Sequence, residues 1–154
     1  MMNAIHMRGA RAEDVPTIVH LFSTPDLDIG KHEEPSTPLL SAYYEAFERI
    51  ERDPNNRLWV AELEGRVVGV FQLTVIQYLA NRGGRIAVAE NVIVAPDVRS
   101  RGVGEAMMRW AMAEARKAGC FRLQLTSNKA RTRAHAFYAR LGFVASHEGF
   151  KLFL

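Results

Sequence analysis

The residues best placed for chemistry lie in the stretch 89–105, AENVIVAPDVRSRGVGE. A β-branched run predicts a strand that ends at Pro96, and a helix rich in Ala and Met is predicted to begin near Val103. Between them lies a short basic loop that contains Arg99, Arg101, Gly102 and Gly104. The first backbone N–H groups of a helix lack partners and lie at the positive end of its dipole, and glycine lets an anion approach them closely. The stretch therefore predicts a site for a phosphate-like anion.

The surrounding pattern predicts an α/β protein of the α+β type. Strands are predicted at 3–8, 58–63, 67–75, 86–94 and 121–126, helices begin near residues 14, 37, 103 and 133, and two closing strands follow at 143–146 and 150–154. Short turns join the second, third and fourth strands, so these form an antiparallel meander. The following strand, helix and strand predict a parallel pair with a right-handed crossover. That topology places the basic loop at the carboxyl end of a strand, where ligands commonly bind.

Composition limits the class of protein. A chain of 154 residues with a net charge of +3 is expected to form one domain over residues 1–154. No apolar run approaches the ~20 residues of a membrane span, and no secretory signal is expected. The one cysteine, Cys120, permits no internal disulfide, which favours a cytoplasmic location. The histidines lack the Cys/His spacing of a metal site, so no metal is expected.

Two segments together resemble the GNAT superfamily of acyl-CoA-dependent N-acetyltransferases. The segment ENVIVAPDVRSRGVG is similar to the family's fourth strand and pyrophosphate loop, with its pattern Arg-x-x-Gly-x-Gly. The segment LTSNKARTRAHAFYARLGF is similar to the fifth strand and the helix after it, including an Asn, a Phe-Tyr pair and a terminal Gly-Phe. The order of the elements matches along nearly the whole chain.

The resemblance implies the GNAT fold, a mixed and largely antiparallel sheet of six to seven strands flanked by about four helices. It also implies acetyl-CoA as the acetyl donor. Amides and arginines of the loop would bind the pyrophosphate, a strand amide freed by a bulge would bind the thioester carbonyl, and an asparagine would contact the pantetheine arm. The implied coenzyme residues are Ile93 or Val94 in the strand, Arg99, Ser100, Arg101, Gly102, Val103 and Gly104 in the loop, and Asn128.

Acetyl transfer to an amine also needs proton transfers. Glu90 lies where relatives in this family often carry a general base, and Tyr138 lies where the family places its general acid. A phenol of pKa ~10 is protonated at neutral pH and can protonate the thiolate of a thiol of pKa ~8.5. A carboxylate of pKa ~4.3 is a poor match for an alkylammonium of pKa ~10.4. Glu90 would therefore need burial, a water relay, or an acceptor amine with a lowered pKa.

Each of these residues also has a purely structural interpretation. Glu90 can be a solvated strand residue, Tyr138 a packing residue, Asn128 a turn residue, and Ile93 and Val94 core residues. The whole chain can also be a catalytically inactive acyl-CoA-binding module, or an N-acetyltransferase for a peptide or protein. Nucleic-acid binding through the arginines is not expected, because no recognition helix or aromatic-interleaved strand accompanies them.

The acceptor is expected to be a small primary amine. In the family, the loop between the first two helices and the closing strands shape the acceptor site, here residues 23–36 and the region near His147. Four acidic residues of that loop either favour a cationic acceptor or face solvent: Asp26, Asp28, Glu33 and Glu34. Closing strands often pair in relatives, which allows a homodimer.

Overall fold

The computed structural model describes residues 4–24 and 33–154. The strands are β1 (His6–Gly9), β2 (Asn56–Leu63), β3 (Arg66–Gln77), β4 (Arg85–Val94) and β5 (Cys120–Gln124). The helices are α1 (Val15–Phe22), α2 (Ser41–Arg52), the single turn α3 (Ala80–Gly83), α4 (Val103–Lys117) and α5 (Thr132–Arg140). Short 3-10 helices cover Ala12–Asp14 and Pro96–Val98. No helix in these ranges combines the length and the apolar character needed to cross a membrane.

The strands form one sheet in the order β1-β2-β3-β4-β5. The first four strands are antiparallel, and β4 pairs with β5 in parallel. The predicted meander and the parallel pair are therefore confirmed. The connection from β3 to β4 places Asn81 and Arg82 in the left-handed region, with φ of 55° and 59°.

The prediction of six to seven strands is wrong for the described residues, which form five. The predicted closing strands, 143–146 and 150–154, have no regular secondary structure and do not join the sheet. A strand is held by the hydrogen bonds of its ladder. Neither segment pairs with β5, the edge strand of the described sheet, so their β-branched and aromatic residues alone do not make them strands. The second helix also begins at Ser41 rather than at Pro38.

The two faces of the sheet are covered by different helices. On one face α4 approaches β3 at Gly69, where an added Cβ would lie 2.5 Å from the Met107 sulfur, so only glycine permits this distance. Met107 and the neighbouring Phe71 have no exposed surface, and each contributes roughly 1.5–3 kcal/mol through burial. On the opposite face, α1 and α2 pack over β2 and β3. The sheet is therefore buried on both faces over β2, β3 and β4.

An ion cluster joins β1 to the start of α1. Arg8 forms ion pairs with Asp14 at 2.7 Å and with Glu62 of β2 at 2.8 Å, and the Arg11 amide donates to Asp14 at 2.7 Å. Burial disfavours the charged form of Asp14, but the hydrogen bonds from Arg8 and Arg11 outweigh it and hold the pKa of Asp14 below its usual value. The cluster thus stabilises the entry to α1 only while Asp14 is ionised.

We expect the Asp14→Asn variant to lose about 2–3 kcal/mol of unfolding free energy at pH 7, because position 14 then offers the largely buried Arg8 a neutral amide and leaves Glu62 as its ionised partner. A lowered folded-state pKa gives stability that is present above the unfolded pKa, ~3.9, and is lost as the pH falls through the folded value. Urea unfolding should therefore show the difference from the parent protein shrinking below about pH 4. Glu13→Gln, in the same turn but 73% exposed, is the matched control and should change stability little. A loss that stays constant down to pH 3 would contradict the electrostatic explanation.

Candidate active site

Strand β4 carries a bulge beside the predicted catalytic strand residues. Val70 pairs with Ile93 and Gln72 pairs with Glu90, so two residues of β4, Asn91 and Val92, oppose one residue of β3. Asn91 has a φ of 51°, the left-handed conformation of the first residue in one common bulge type. Asparagine tolerates this conformation better than most residues that have a side chain.

Beyond the bulge, β4 has an open edge. In the described chain, its pairing with β5 ends at Val88 and Gln124. The Ala95 amide donates to the Val68 carbonyl of β3 at 2.8 Å. Because backbone groups alternate in direction along an antiparallel strand, the Ile93 amide points to β3 and the Val94 amide points to the open edge.

The basic loop leads into α4 with its backbone amides uncapped. Ser100 and Gly102 adopt positive φ values of 64° and 83°, and Gly102 is the N-cap of α4 without a side-chain hydrogen bond to the first turn. Glu105, in that first turn, instead forms an ion pair with Arg109 at 2.7 Å. The first amides of a 15-residue helix therefore have no side-chain capping partner. An anion at this position would meet both these donors and the helix dipole.

The two loop arginines differ in their surroundings. Arg99 donates from Nε to the Val94 carbonyl at 3.2 Å, which ties the loop to the open edge of β4. Arg101 contributes to the positive potential around Asp97, whose pKa is lowered mainly by its hydrogen bond with Arg66 and also by the Arg101 charge. Both arginines are exposed. Their guanidinium groups thus border the start of α4 on its solvent side.

Helix α5 packs against the beginning of α4. A Cβ added to Gly104 would lie 3.2 Å from Phe137 Cζ, so the absence of a side chain at Gly104 lets α5 approach. The next residue, Tyr138, makes edge-to-face contacts with Phe137 and Phe143 at ring-centroid distances of 5.2 and 5.6 Å. Burial raises the pKa of Tyr138, and the charge of Arg131 partly opposes this. The phenol is therefore protonated throughout the neutral range.

Residues after β5 form a turn beside the same region. The Asn128 side-chain oxygen accepts from the Ala130 amide at 2.9 Å, and the Asn128 carbonyl accepts from the Arg131 amide at 3.0 Å. The turn interpretation of Asn128 is thus confirmed, and its side-chain amide group is not used by these bonds. The buried Ser127 hydroxyl has no hydrogen-bond partner in the described chain. The side-chain amide group of Asn128 and the hydroxyl of Ser127 are therefore two hydrogen-bond donors beside β5.

Glu90 lies on the other face of the sheet from α4. Directly paired residues point to the same face, so Glu90 shares its face with Gln72 and, through β2, with Leu58. Gln72 and Leu58 line a cavity of about 90 Å³ whose other walls are α1 and α2. The Glu90 side chain itself is exposed. To act as the base from this exposed position, Glu90 would need a water relay or an acceptor amine with a lowered pKa.

Two further features concern the predicted ligands. Among residues 4–24 and 33–154, no group of three His, Cys, Asp or Glu side chains is arranged to hold a metal ion.

In the acceptor loop, Glu33 accepts a hydrogen bond from the Tyr43 hydroxyl at 2.8 Å, and the Glu34 amide donates to that hydroxyl at 2.9 Å. Asp26 and Asp28 lie outside the described residues.

Comparison with known proteins identifies the family. Residues 21–143 match the model of the acetyltransferase (GNAT) family, which is most of the chain. The protein belongs to the GNAT family. It is accordingly an acyl-CoA-dependent N-acetyltransferase.

Relatives of this GNAT protein act on several amines. Aminoalkylphosphonate N-acetyltransferase of Salmonella typhimurium is 29% identical over 96% of this chain and 90% of its own length. Glucosamine 6-phosphate N-acetyltransferase 1 of Oryza sativa subsp. japonica is 32% identical over 71% of this chain and 67% of its own. A crystal structure described as a transcriptional regulator from Bacillus halodurans C-125 superposes with a TM-score of 0.93 at 36% identity, covering 98% of this chain and 100% of that one.

In this GNAT chain the structure brings part of the predicted site together. Gly104 at the start of α4 lies beside Phe137 of α5 and Val94 of β4, whereas Glu90 lies on the opposite face of the sheet. Sequence reasoning missed the close approach of Phe137 to Gly104. A signal for the bulge existed, because the adjacent polar residues Glu90 and Asn91 interrupt the two-residue alternation of a strand.

Proposed function

We propose that this protein transfers the acetyl group of acetyl-CoA to the primary amine of a small molecule by direct attack in a ternary complex. One observation carries the proposal: β4 separates from β5 after Val88. We take the resulting gap as the passage between the sheet face that bears Glu90 and the face that α4 covers. An amine and a thioester can therefore approach from opposite faces and meet at the same strand edge.

The coenzyme fits the α4 side of this opening. The first amides of α4, from Val103 and Gly104, suit a pyrophosphate because no side chain caps them. We assign Arg99, Ser100, Arg101 and Gly102 to the same contact, with the two arginines adding charge-assisted hydrogen bonds. Acetyl-CoA, when bound, supplies an acetyl thioester. Asn128 would donate from its side-chain amide group to the pantetheine arm.

Backbone donors at the open edge would bind the carbonyl oxygen on which negative charge develops. Ile93 and Val94 are the two residues that the family pattern indicates. The hydrogen bond of Ala95 to β3 supports Val94 rather than Ile93, since the Val94 amide points into the gap. A preorganised backbone donor of this kind typically contributes about 2.7–4 kcal/mol to transition-state stabilisation.

The acceptor amine enters as an ammonium and must first lose one proton, which is the first transfer. Its nitrogen then forms a bond to the carbonyl carbon and the carbon–sulfur bond breaks. In the second transfer sulfur gains a proton, and the remaining excess proton on nitrogen is released to water. We assign the first proton transfer to Glu90. Because Glu90 is exposed, it would act through water, which carries the proton away from an amine of pKa ~10.4. We assign the second transfer to Tyr138, whose raised pKa keeps the phenol protonated until the thiolate forms.

The acceptor proposed here carries an anionic phosphonate or phosphate as well as the amine. The names of both relatives above share this chemistry. The charge of Arg131 acts on Tyr138, where it partly offsets the rise in the phenol's pKa that burial causes, and a cation at this distance would also favour an anionic group. Glu33 is engaged with Tyr43 rather than directed to a ligand, which weakens the case for a cationic acceptor. A peptide amine stays as the alternative acceptor.

The proposed function is tested first with acetyl-CoA and a panel of amines. Acetyl-CoA should raise the melting temperature, as a ligand that binds only the folded state does. Thiol release should then favour 2-aminoethylphosphonate over propylamine, and glucosamine 6-phosphate over glucosamine, by roughly 10–100-fold in kcat/KM, the effect of one charged hydrogen bond. Preference for a lysine or N-terminal peptide would select the alternative acceptor. Coenzyme binding without turnover of any amine would overturn the proposal in favour of a non-catalytic module.

Tyr138→Phe should lower kcat by about 100-fold or more, because the thiolate loses its proton donor. The KM for acetyl-CoA should change little, since the ring contacts with Phe137 and Phe143 are kept. Tyr44→Phe, on α2, is the matched control and should have parental turnover. Parental turnover of Tyr138→Phe with every amine would remove Tyr138 from the mechanism.

Glu90→Gln should lower kcat/KM by on the order of 100-fold at pH 6. The deficit should shrink towards pH 10, where the acceptor amine loses its proton without help. The measurement is the pH profile of kcat/KM, with Glu51→Gln, exposed on α2, as the control. A profile parallel to that of the parent protein would show that Glu90 is a solvated strand residue.

A further inference from the structure

The cavity between α1, α2 and the sheet lies on the face that bears Glu90. Its volume is about 90 Å³. Apart from Gln72 and Tyr43, its walls are hydrocarbon side chains from both helices and from β2, among them Ile18, Val19, Phe47 and Ile50. Protein interiors contain few voids larger than a water molecule. A void of this size beside the candidate site is therefore a candidate for binding part of a ligand.

The two polar side chains in the walls already have hydrogen-bond partners. Gln72 Nε2 donates to Asn56 Oδ1 at 2.9 Å. The Tyr43 hydroxyl donates to Glu33 at 2.8 Å and accepts from the Glu34 amide at 2.9 Å. A buried water typically makes about three hydrogen bonds, and these walls offer few unused donors or acceptors. The cavity is therefore better suited to a hydrocarbon group than to water.

The cavity lies one strand away from the residue to which we assign the first proton transfer. Gln72 lines the cavity and pairs directly with Glu90 of the neighbouring strand. Directly paired side chains share a face of the sheet, with Cβ atoms about 4.5–5.5 Å apart. A group that enters the cavity must therefore branch from the acceptor within a few bonds of the nitrogen that Glu90 serves.

We infer that the acceptor amine carries a short alkyl side chain close to its nitrogen, and that this chain occupies the cavity between α1 and α2. The inference rests on the proposed acetyl transfer, because it assigns one part of the acceptor of that reaction. A methylene is similar in size to a water molecule, whose share of liquid volume is about 30 Å³, so the cavity accommodates roughly three carbons. An engineered apolar cavity that binds benzene measures about 150 Å³, so an aromatic ring is too large here.

A series of acceptors that differ only in this chain tests the inference. It consists of aminomethylphosphonate, which has no side chain, and 1-aminoalkylphosphonates with side chains of one, two, three and five carbons. At saturating acetyl-CoA, kcat/KM of the parent protein should rise about 4-fold with each carbon up to about three, because each one leaves water for an apolar site. It should fall for the five-carbon chain, which overfills the cavity.

Substitutions in α2 change the cavity itself. Ala46 lines the cavity and is also exposed, so Ala46→Leu fills it from the surface and keeps a good helix former. This variant should reduce the advantage of the three-carbon acceptor over aminomethylphosphonate by at least about 10-fold. Ala42→Leu, exposed one turn earlier and outside the cavity walls, is the matched control and should keep the parental profile. Ile50→Val enlarges the cavity and should move the optimum to a longer chain, which a loss of stability alone cannot do.

The outcomes distinguish failure of this inference from failure of the proposed function. Equal kcat/KM along the series, or a parental profile in Ala46→Leu, would overturn the inference while acetyl transfer stands. If no member of the series is turned over, the wider amine panel decides whether acetyl transfer fails, and calorimetric titration of the coenzyme-bound protein with the same series decides the inference. Affinity that grows with chain length and is lost in Ala46→Leu would support the alkyl site, whereas affinity independent of chain length, or no binding, would overturn it.

Discussion

The site is built around one constraint in β4, which keeps its pairing with β3 but gives up its pairing with β5 after Val88. The bulge at Asn91 and Val92 lies just beyond the point of separation. A bulge bends its strand and increases the local twist, so it is suited to separate β4 from β5 while the pairing with β3 continues. The result is a strand edge with free backbone groups inside the protein, where a substrate rather than another strand can pair with them.

The helices complete this opening through close contacts that small residues allow. Gly69 lets α4 approach β3, and Gly104 lets Phe137 of α5 approach the start of α4. The two glycines of the Arg-x-x-Gly-x-Gly pattern are therefore needed for different reasons. At Gly102 space is not the constraint, because a Cβ there would meet no neighbour within 4 Å, so glycine is needed for the positive φ. At Gly104 glycine is needed for space, because a Cβ would crowd Phe137.

Structural and chemical roles coincide at several positions rather than excluding each other. Tyr138 packs between two aromatic rings, and the burial that comes with this packing is what raises its pKa. Asn128 closes a turn with its side-chain oxygen and keeps its amide group for other contacts. A packing or turn interpretation was therefore no argument against a ligand contact at these positions. Glu90 differs, because its side chain is exposed and no hydrogen-bond or ion-pair partner is described for it.

Local patterns in the sequence were enough to predict the antiparallel meander, the parallel pair and the loop at the start of α4, because β-branched residues, glycines and turns specify these features over short distances. The family came from the resemblance of two segments to known motifs. The assembled sheet was needed to learn which strand amide faces the gap, since the direction of a backbone group depends on the bulge and on pairing with β3. The same holds for the direction of Glu90, which shares its face of the sheet with Gln72 and lies away from α4. The closing strands were predicted from composition that suits a strand, but a strand also needs a neighbour. Segment 150–154 has the side chains of a strand and finds no neighbour within its own described chain, which no local pattern can reveal.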